Sequence, residues 1–182
     1  TSRLSSAASD VYKRQVIDGT PEVRADNIGD GWVWGIEADA AWRFAPNWTA
    51  FATVSTMDGE ADELDPDTGR IVRSPLSRQN PFTSFLGLRW EVPGGCWWAQ
   101  AEWGYAARED RLSLRDQTDT SRIPPGGTPS WSVVSLRGGV RLGEDARLGL
   151  GLENLLDEDY RMHGSGQNEP GLNLVVVREV AF

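Results

Sequence analysis

Residues 32–44, WVWGIEADAAWRF, place Trp32, Trp34, Ile36, Ala38, Ala40, Trp42 and Phe44 on one parity. Val33, Gly35, Glu37, Asp39, Ala41 and Arg43 fall on the other. Alternation with period two marks a strand with one apolar and one polar face. The pattern recurs over 47–57, 82–92, 97–106, 131–142, 145–154 and 172–182. In 97–106, for example, Trp97, Ala99, Ala101, Trp103 and Tyr105 oppose Gln100, Glu102 and Gly104. Seven strands are therefore predicted, each near the ~9–11 residues with which a tilted strand crosses a bilayer.

The connections alternate strictly between short and long. Short turns fall at 45–46, 93–96 and 143–144, and long polar loops at 58–81, 107–130 and 155–171. Outer-membrane barrels have this alternation, with short periplasmic turns and longer extracellular loops. The predicted fold is all-β, an antiparallel transmembrane β-barrel segment of about seven meandering strands. The tryptophans fit two interfacial belts. Trp42, Trp48, Trp90, Trp97 and Trp98 lie beside the short turns, and Trp32, Trp34, Trp103 and Trp131 toward the long loops. A soluble β-sandwich is the competing architecture, but its core would take the largest side chains at mid-strand. The polar parity carries Glu37, Asp39, Arg43, Arg89, Glu91, Glu102, Arg137, Arg141, Arg147 and Glu153, interspersed with glycines. In a wide barrel it would line water or a plug, and its glycines would let other groups approach closely.

Composition changes this picture little. A 39% hydrophobic content and a mean hydropathy of −0.44 suggest a soluble protein, but barrel strands average out as polar. No stretch approaches the roughly 20 apolar residues of a transmembrane helix. The net charge of −9 argues against a nucleic-acid partner, which needs a basic footprint. A single cysteine, Cys96, excludes an internal disulfide, and with the single histidine it makes no zinc set. Residues 1–15, TSRLSSAASDVYKRQ, lack an initiator Met, alternation and the apolar core of a signal peptide. They are expected to be a non-native scar, leaving 16–182 as the barrel portion. Seven is an odd number, whereas single-chain bacterial barrels use an even one, and open edges are not tolerated in a bilayer. The wall is therefore expected to be completed by strands outside this chain. Arg178 conflicts with the scheme, because it shares the lipid-facing parity of Leu174, Val176, Val180 and Phe182. A bulge or a protein neighbour would relieve it.

The chain's last part reads GLENLLDEDYRMHGSGQNEPGLNLVVVREVAF. An aliphatic strand runs into Glu153-Asn154-Leu155-Leu156-Asp157, followed by Tyr160, a Gly/His loop, Pro170-Gly171 and terminal Phe182. This resembles the C-terminal signature of TonB-dependent outer-membrane receptors, and GWVWGIE at 31–37 resembles a strand opening of that family. Leu172 departs from it, since the family often carries Arg there. The resemblance covers about 31–182. It implies a 22-stranded barrel with an N-terminal plug, placed in the bacterial outer membrane among lipid and lipopolysaccharide. It also implies energised import, through an inner-membrane TonB complex, of a ferric siderophore, another iron chelate or a similar scarce ligand. The plug and its TonB-contacting segment would lie outside this chain. Another outer-membrane channel remains an alternative.

Candidate chemistry is sparse. His163 lies in an HGSG loop without triad or nucleophile-elbow spacing, so no enzyme, cofactor or metal centre is expected. Asp65-x-Asp67-x-Gly69 opens like a calcium loop but lacks the closing Glu. Arg108, Arg111 and Arg115 on the second long loop, with His163 on the third, are the ligand-contact candidates. Guanidinium groups suit an anionic chelate; the alternatives are a mixed solvated loop or lipopolysaccharide contact.

Overall fold

The computed structural model describes residues 10–17, 20–27, 29–143 and 145–180, with side chains from residue 29 onward. β1 (Asp10–Ile17) and β2 (Thr20–Asn27) form a two-stranded antiparallel sheet. The main sheet is an antiparallel meander of β3 (Gly31–Ala45), β4 (Trp48–Leu64), β6 (Thr83–Glu91), β7 (Trp97–Ala106), β8 (Trp131–Leu142), β9 (Ala146–Glu153) and β10 (Asn173–Val180). β5 (Ile71–Pro75) pairs back onto the far part of β4. The one helix among the described residues is α1 (Leu114–Thr118).

The alternating apolar parity explains the meander. Residues directly opposed across an antiparallel ladder share a face. Ala40 stands against Ala52, Ala52 against Leu86, Leu86 against Trp103, and Trp103 against Val134. Leu136 stands against Leu152, and Leu152 against Leu174. Every expected strand therefore turns its apolar residues to one side. That side is bare: Ile36 is 59% exposed, Leu150 52% and Val176 59%. The buried side chains gather instead at the long-loop end. Ala106, Ile123, Trp131 and Val133 are buried there with Gln79, Glu109, Ser113, Asp116, Thr128 and Asn154.

Three elements depart from expectation. β4 runs to Leu64 and folds against β5, from Glu60↔Pro75 to Leu64↔Ile71. Beyond the apolar band both faces of a strand meet water, so the period-two contrast fades while the backbone pairing continues. The hairpin tip is held by Asp65, whose carboxylate accepts from the Asp67 amide at 2.9 Å and the Thr68 hydroxyl at 2.6 Å. These bonds, the Thr68 hydroxyl first, pull the Asp65 pKa below the ordinary carboxylate value. α1 breaks the second long loop, and its signal is Ser113-x-x-Asp116: the Ser113 hydroxyl accepts from the Asp116 amide at 3.0 Å. β1 lies where no alternation was evident. Asp18-Gly19, a common hairpin-turn pair, separates it in sequence from β2.

β10 pairs with β9 in unbroken register from Asn173↔Glu153 to Val180↔Ala146, so no bulge relieves Arg178. Arg178 stands opposite Leu148 on the apolar face, while Glu179 turns to the other face beside Arg147, 3.6 Å away. Phe182 lies outside the described residues.

Candidate functional site

The inner face of the sheet carries a chain of polar contacts across four strands. Arg137 on β8 binds Glu102 on β7 and, at 2.8 Å, Glu153 on β9. Gln100 donates to Glu102 at 2.6 Å and accepts from Arg89 at 3.2 Å. Arg89 also binds Glu91 at 2.7 Å and lies 4.0 Å over the Trp98 ring. Charges held this way present a fixed, water-facing pattern. Between them, aromatic rings lie over glycines on neighbouring strands: Phe51 over Gly87, Phe85 over Gly104 and Trp98 over Gly139, each a directly opposed pair. A Cβ on Gly87 would lie 1.9 Å from the Phe51 ring. Gly87, Gly104 and Gly139 are thus seats for rings of the sheet itself. Phe51 and Phe85 were not singled out from the sequence; their signal is an aromatic on the polar parity.

At the long-loop end, three loops interlock. Asp116, only 2% exposed, accepts from the Ser77 hydroxyl at 2.8 Å and the Arg78 amide at 2.9 Å. Arg78 also reaches Asp119 at 3.3 Å. Gln79 accepts from the Gly59 amide at 2.8 Å. Glu109 and Thr128 exchange backbone bonds of 3.0 and 2.9 Å, closing the base of the second loop. Gly127 is required there: its φ is +99°, and a Cβ would lie 2.1 Å from the Glu109 carbonyl oxygen. The third loop joins through His163, whose Nδ1 is 2.9 Å from the Thr128 hydroxyl. His163 Nε2 is buried without a hydrogen-bond partner among the described residues. Burial pushes the His163 pKa down, and Asp116 offsets this only in part. Burial likewise raises the Glu109 pKa.

The arginine candidates are mostly engaged within this cluster. Arg108 binds Asp110 at 3.0 Å and the Gly126 carbonyl at 2.8 Å. Arg111 binds Asp58 and, at 3.2 Å, Glu60. Arg115 is exposed on α1 and makes no ion pair among the described residues. The candidates do not converge on a single cavity. Asp116, Gln79, Glu109 and Thr128, which build the cluster, are not among the candidates read from the sequence; the local signal for the first is its place in the Ser113-x-x-Asp116 cap.

The signature residues form a clasp at the start and end of the third loop. Asn154, at φ +50° and 4% exposed, accepts from the Glu158 amide at 2.9 Å. Its amide nitrogen donates to the Glu158 and Pro170 carbonyls at 2.8 and 3.1 Å. Asp157 accepts from the Leu172 amide at 2.9 Å, and its carboxylate occupies the space a Cβ on Gly171 would need. Tyr160 packs on Trp131 with ring centroids 4.7 Å apart.

The bare outer face has aromatic edges. Trp42, Phe44, Trp48, Trp90 and Trp97 form a ribbon along the short-turn end of β3 to β7, with successive centroids 5.6, 6.4, 6.4 and 4.5 Å apart. At the other end Trp103 stacks on Tyr105 at 5.7 Å, and Trp32 and Trp34 stand exposed on β3. Trp34 and Trp42 are eight residues apart, about 27 Å along the strand and roughly 20 Å along the axis of a barrel tilted ~40°, near the ~25 Å apolar band of such walls. Trp131 does not belong to this face. It shares the parity of Arg137 and Gly139, and it is 4% exposed beneath Tyr160. Trp98 also points inward, on the parity opposite Trp97.

A family model described as "TonB dependent receptor-like, beta-barrel" matches residues 3–155. No curated protein matches the sequence. Among solved structures, "Copper transporter OprC" aligns over 96% of this chain with a TM-score of 0.69 and 20% identity. The chain spans 27% of the length of that structure.

Proposed function

Because the chain belongs to the TonB-dependent receptor β-barrel family of the bacterial outer membrane, we propose that it forms the C-terminal part of the wall of a receptor importing a scarce ligand with energy delivered through TonB. The supporting observation is the pairing of two faces on one sheet. The outer face is an apolar band edged by aromatic belts; the inner face is an ordered ionic ladder from Glu91 to Glu153. In this reading Trp32, Trp34, Trp42, Trp48, Trp90, Trp97 and Trp103 sit at the headgroups. Lipopolysaccharide surrounds the long-loop rim, and a plug region outside this chain lines the ladder and contacts TonB.

For the ligand we assign a ferric siderophore or similar iron chelate. The exposed Arg115, on a loop cluster facing the exterior, suits an anionic chelate. The test uses the complete receptor in paired hosts with and without TonB, following uptake of radiolabelled ferric chelates under iron limitation. TonB-dependent accumulation of a chelate is expected. Uptake independent of TonB would overturn the energised reading. TonB-dependent uptake of copper without any chelate would overturn only the ligand assignment.

A further inference from the structure

We propose that Arg178 is a phospholipid anchor, its guanidinium binding the phosphodiester of a lipid in the periplasmic leaflet. The proposal rests on the membrane orientation given above and deepens it. Arg178 lies on the outer, apolar parity of β10 between Val176 and Val180, in unbroken register with β9. It is exposed, and no carboxylate pairs with it among the described residues. Its neighbour Glu179 is turned to the inner face beside Arg147. A guanidinium there cannot reach the inner ladder, so its charge is met from outside the sheet.

The level of Arg178 decides what meets it. It stands opposite Leu148, Leu148 opposite Val140, and Val140 opposite Trp97, the last member of the aromatic ribbon. Two residues further on, Val180↔Ala146 ends the β9–β10 ladder beside the short turn after β8. Arg178 therefore sits one outward position inside the short-turn rim. There a lipid-facing arginine costs only ~0–1 kcal/mol, against ~2–4 kcal/mol at the midplane, and its long stem can carry the head to the phosphate level. The aromatic ribbon stops at β7. Over β8 and β9 the outer positions at this end are Val140, Leu142, Ala146 and Leu148, none of which has a polar tip to engage headgroups. Arg178 supplies that tip. A planar guanidinium binds a phosphodiester through two parallel hydrogen bonds, a chemistry shared by zwitterionic and anionic phospholipids and absent from the sugar and aliphatic parts of the bilayer.

The test compares the complete receptor with its Arg178→Leu and Arg178→Lys variants, purified in mild detergent with added phosphatidylethanolamine or phosphatidylglycerol. Native mass spectrometry counts the retained phospholipid, and heat-modifiable gel mobility reports barrel folding. The expected result is a folded Arg178→Leu barrel retaining one bound phospholipid about fivefold less well than wild type, the factor that ~1 kcal/mol per cationic side chain at a membrane surface corresponds to. Arg178→Lys should fall between. Equal retention in wild type and Arg178→Leu overturns the proposal. So does a receptor oligomer present in wild type and lost in Arg178→Leu, which assigns the side chain to a protein partner. So does displacement of the lipid by inorganic phosphate alone, which makes the site one for free phosphate. In each case an intact heat shift leaves the barrel reading standing; its loss in wild type would count against that reading instead.

Discussion

Substituting Gly87 by alanine isolates the ring-over-glycine packing of the inner wall. A Cβ at position 87 would lie 1.9 Å from the Phe51 ring, so the ring must swing into the lumen. Burying a whole Phe side chain is worth about 1.5–3 kcal/mol, and Phe51 is half-buried. Losing its seat should therefore cost about 1–2 kcal/mol, within the range for overpacked sites. Once Phe51 is alanine the obstruction is gone. Gly87→Ala should then be neutral or stabilise by up to about 1 kcal/mol, since glycine weakens a strand interior. The assay is a double-mutant cycle on the complete receptor in lipid vesicles, with urea unfolding followed by Trp fluorescence. A coupling of about 1–3 kcal/mol, the difference between those two effects, is expected. The other seats grade the effect: a Cβ would lie 2.7 Å from Trp98 at Gly139, 3.0 Å from Phe85 at Gly104, and 3.7 Å from its nearest neighbour at Gly149. Gly149→Ala should thus be harmless. Additivity of the Phe51 and Gly87 changes within ~0.5 kcal/mol, or a Gly149→Ala as damaging as Gly87→Ala, would refute the reasoning.

Asp116→Ala removes the acceptor for the Ser77 hydroxyl and the Arg78 amide. At about 1.5–3 kcal/mol per bond to a charged group, local opening should become at least ~100-fold easier, read as faster tryptic cleavage after Arg78 without change in barrel mobility. His163 should make the third loop acid-sensitive. Its folded pKa lies below the unfolded value of about 6.5, so its contribution is present above that pH and lost as pH falls through it. Protection factors of the amides around Thr128 should therefore fall as pH drops below about 6.5, and His163→Gln should abolish the step. Buried Glu109, with its pKa raised above the ordinary carboxylate value, acts in the opposite sense at lower pH. Asn154→Ala breaks three hydrogen bonds at φ +50° and should cost about 2–3 kcal/mol, seen as a lower urea midpoint; Asn154→Gly, which keeps the backbone freedom, should cost less.

The transmembrane part was legible because lipid on one side and water on the other impose one contrast at every second residue. Trp97, Ala99 and Ala101 could only face one way once Gln100 and Glu102 faced the other. The contrast vanishes where both faces meet the same solvent. Hence Asp58 to Leu64 read as loop although the backbone stays paired. Trp131 departs from the expected belt for a related reason: its distance from the strand centre fits a belt, but its parity is that of Arg137, which turns it inward. The loop cluster was the least legible part. Its key contacts, Asp116 to Ser77 and Thr128 to His163, join residues 39 and 35 positions apart, and no local pattern encodes such pairings. The signature Asn154-Leu-Leu-Asp157 stood out as a motif, but its role as a clasp follows only from the bonds to Pro170 and Leu172.

The bonds that converge on Asp116 and Thr128 also have a mechanical meaning. Three connections that would otherwise fluctuate separately are bolted into one piece, which restricts their independent motion. A solute reaching the interior along this stretch of wall meets a stiff rim. In the proposed receptor, gating along this rim would be collective, by displacement of the whole rim or by loosening of the His163 bolt.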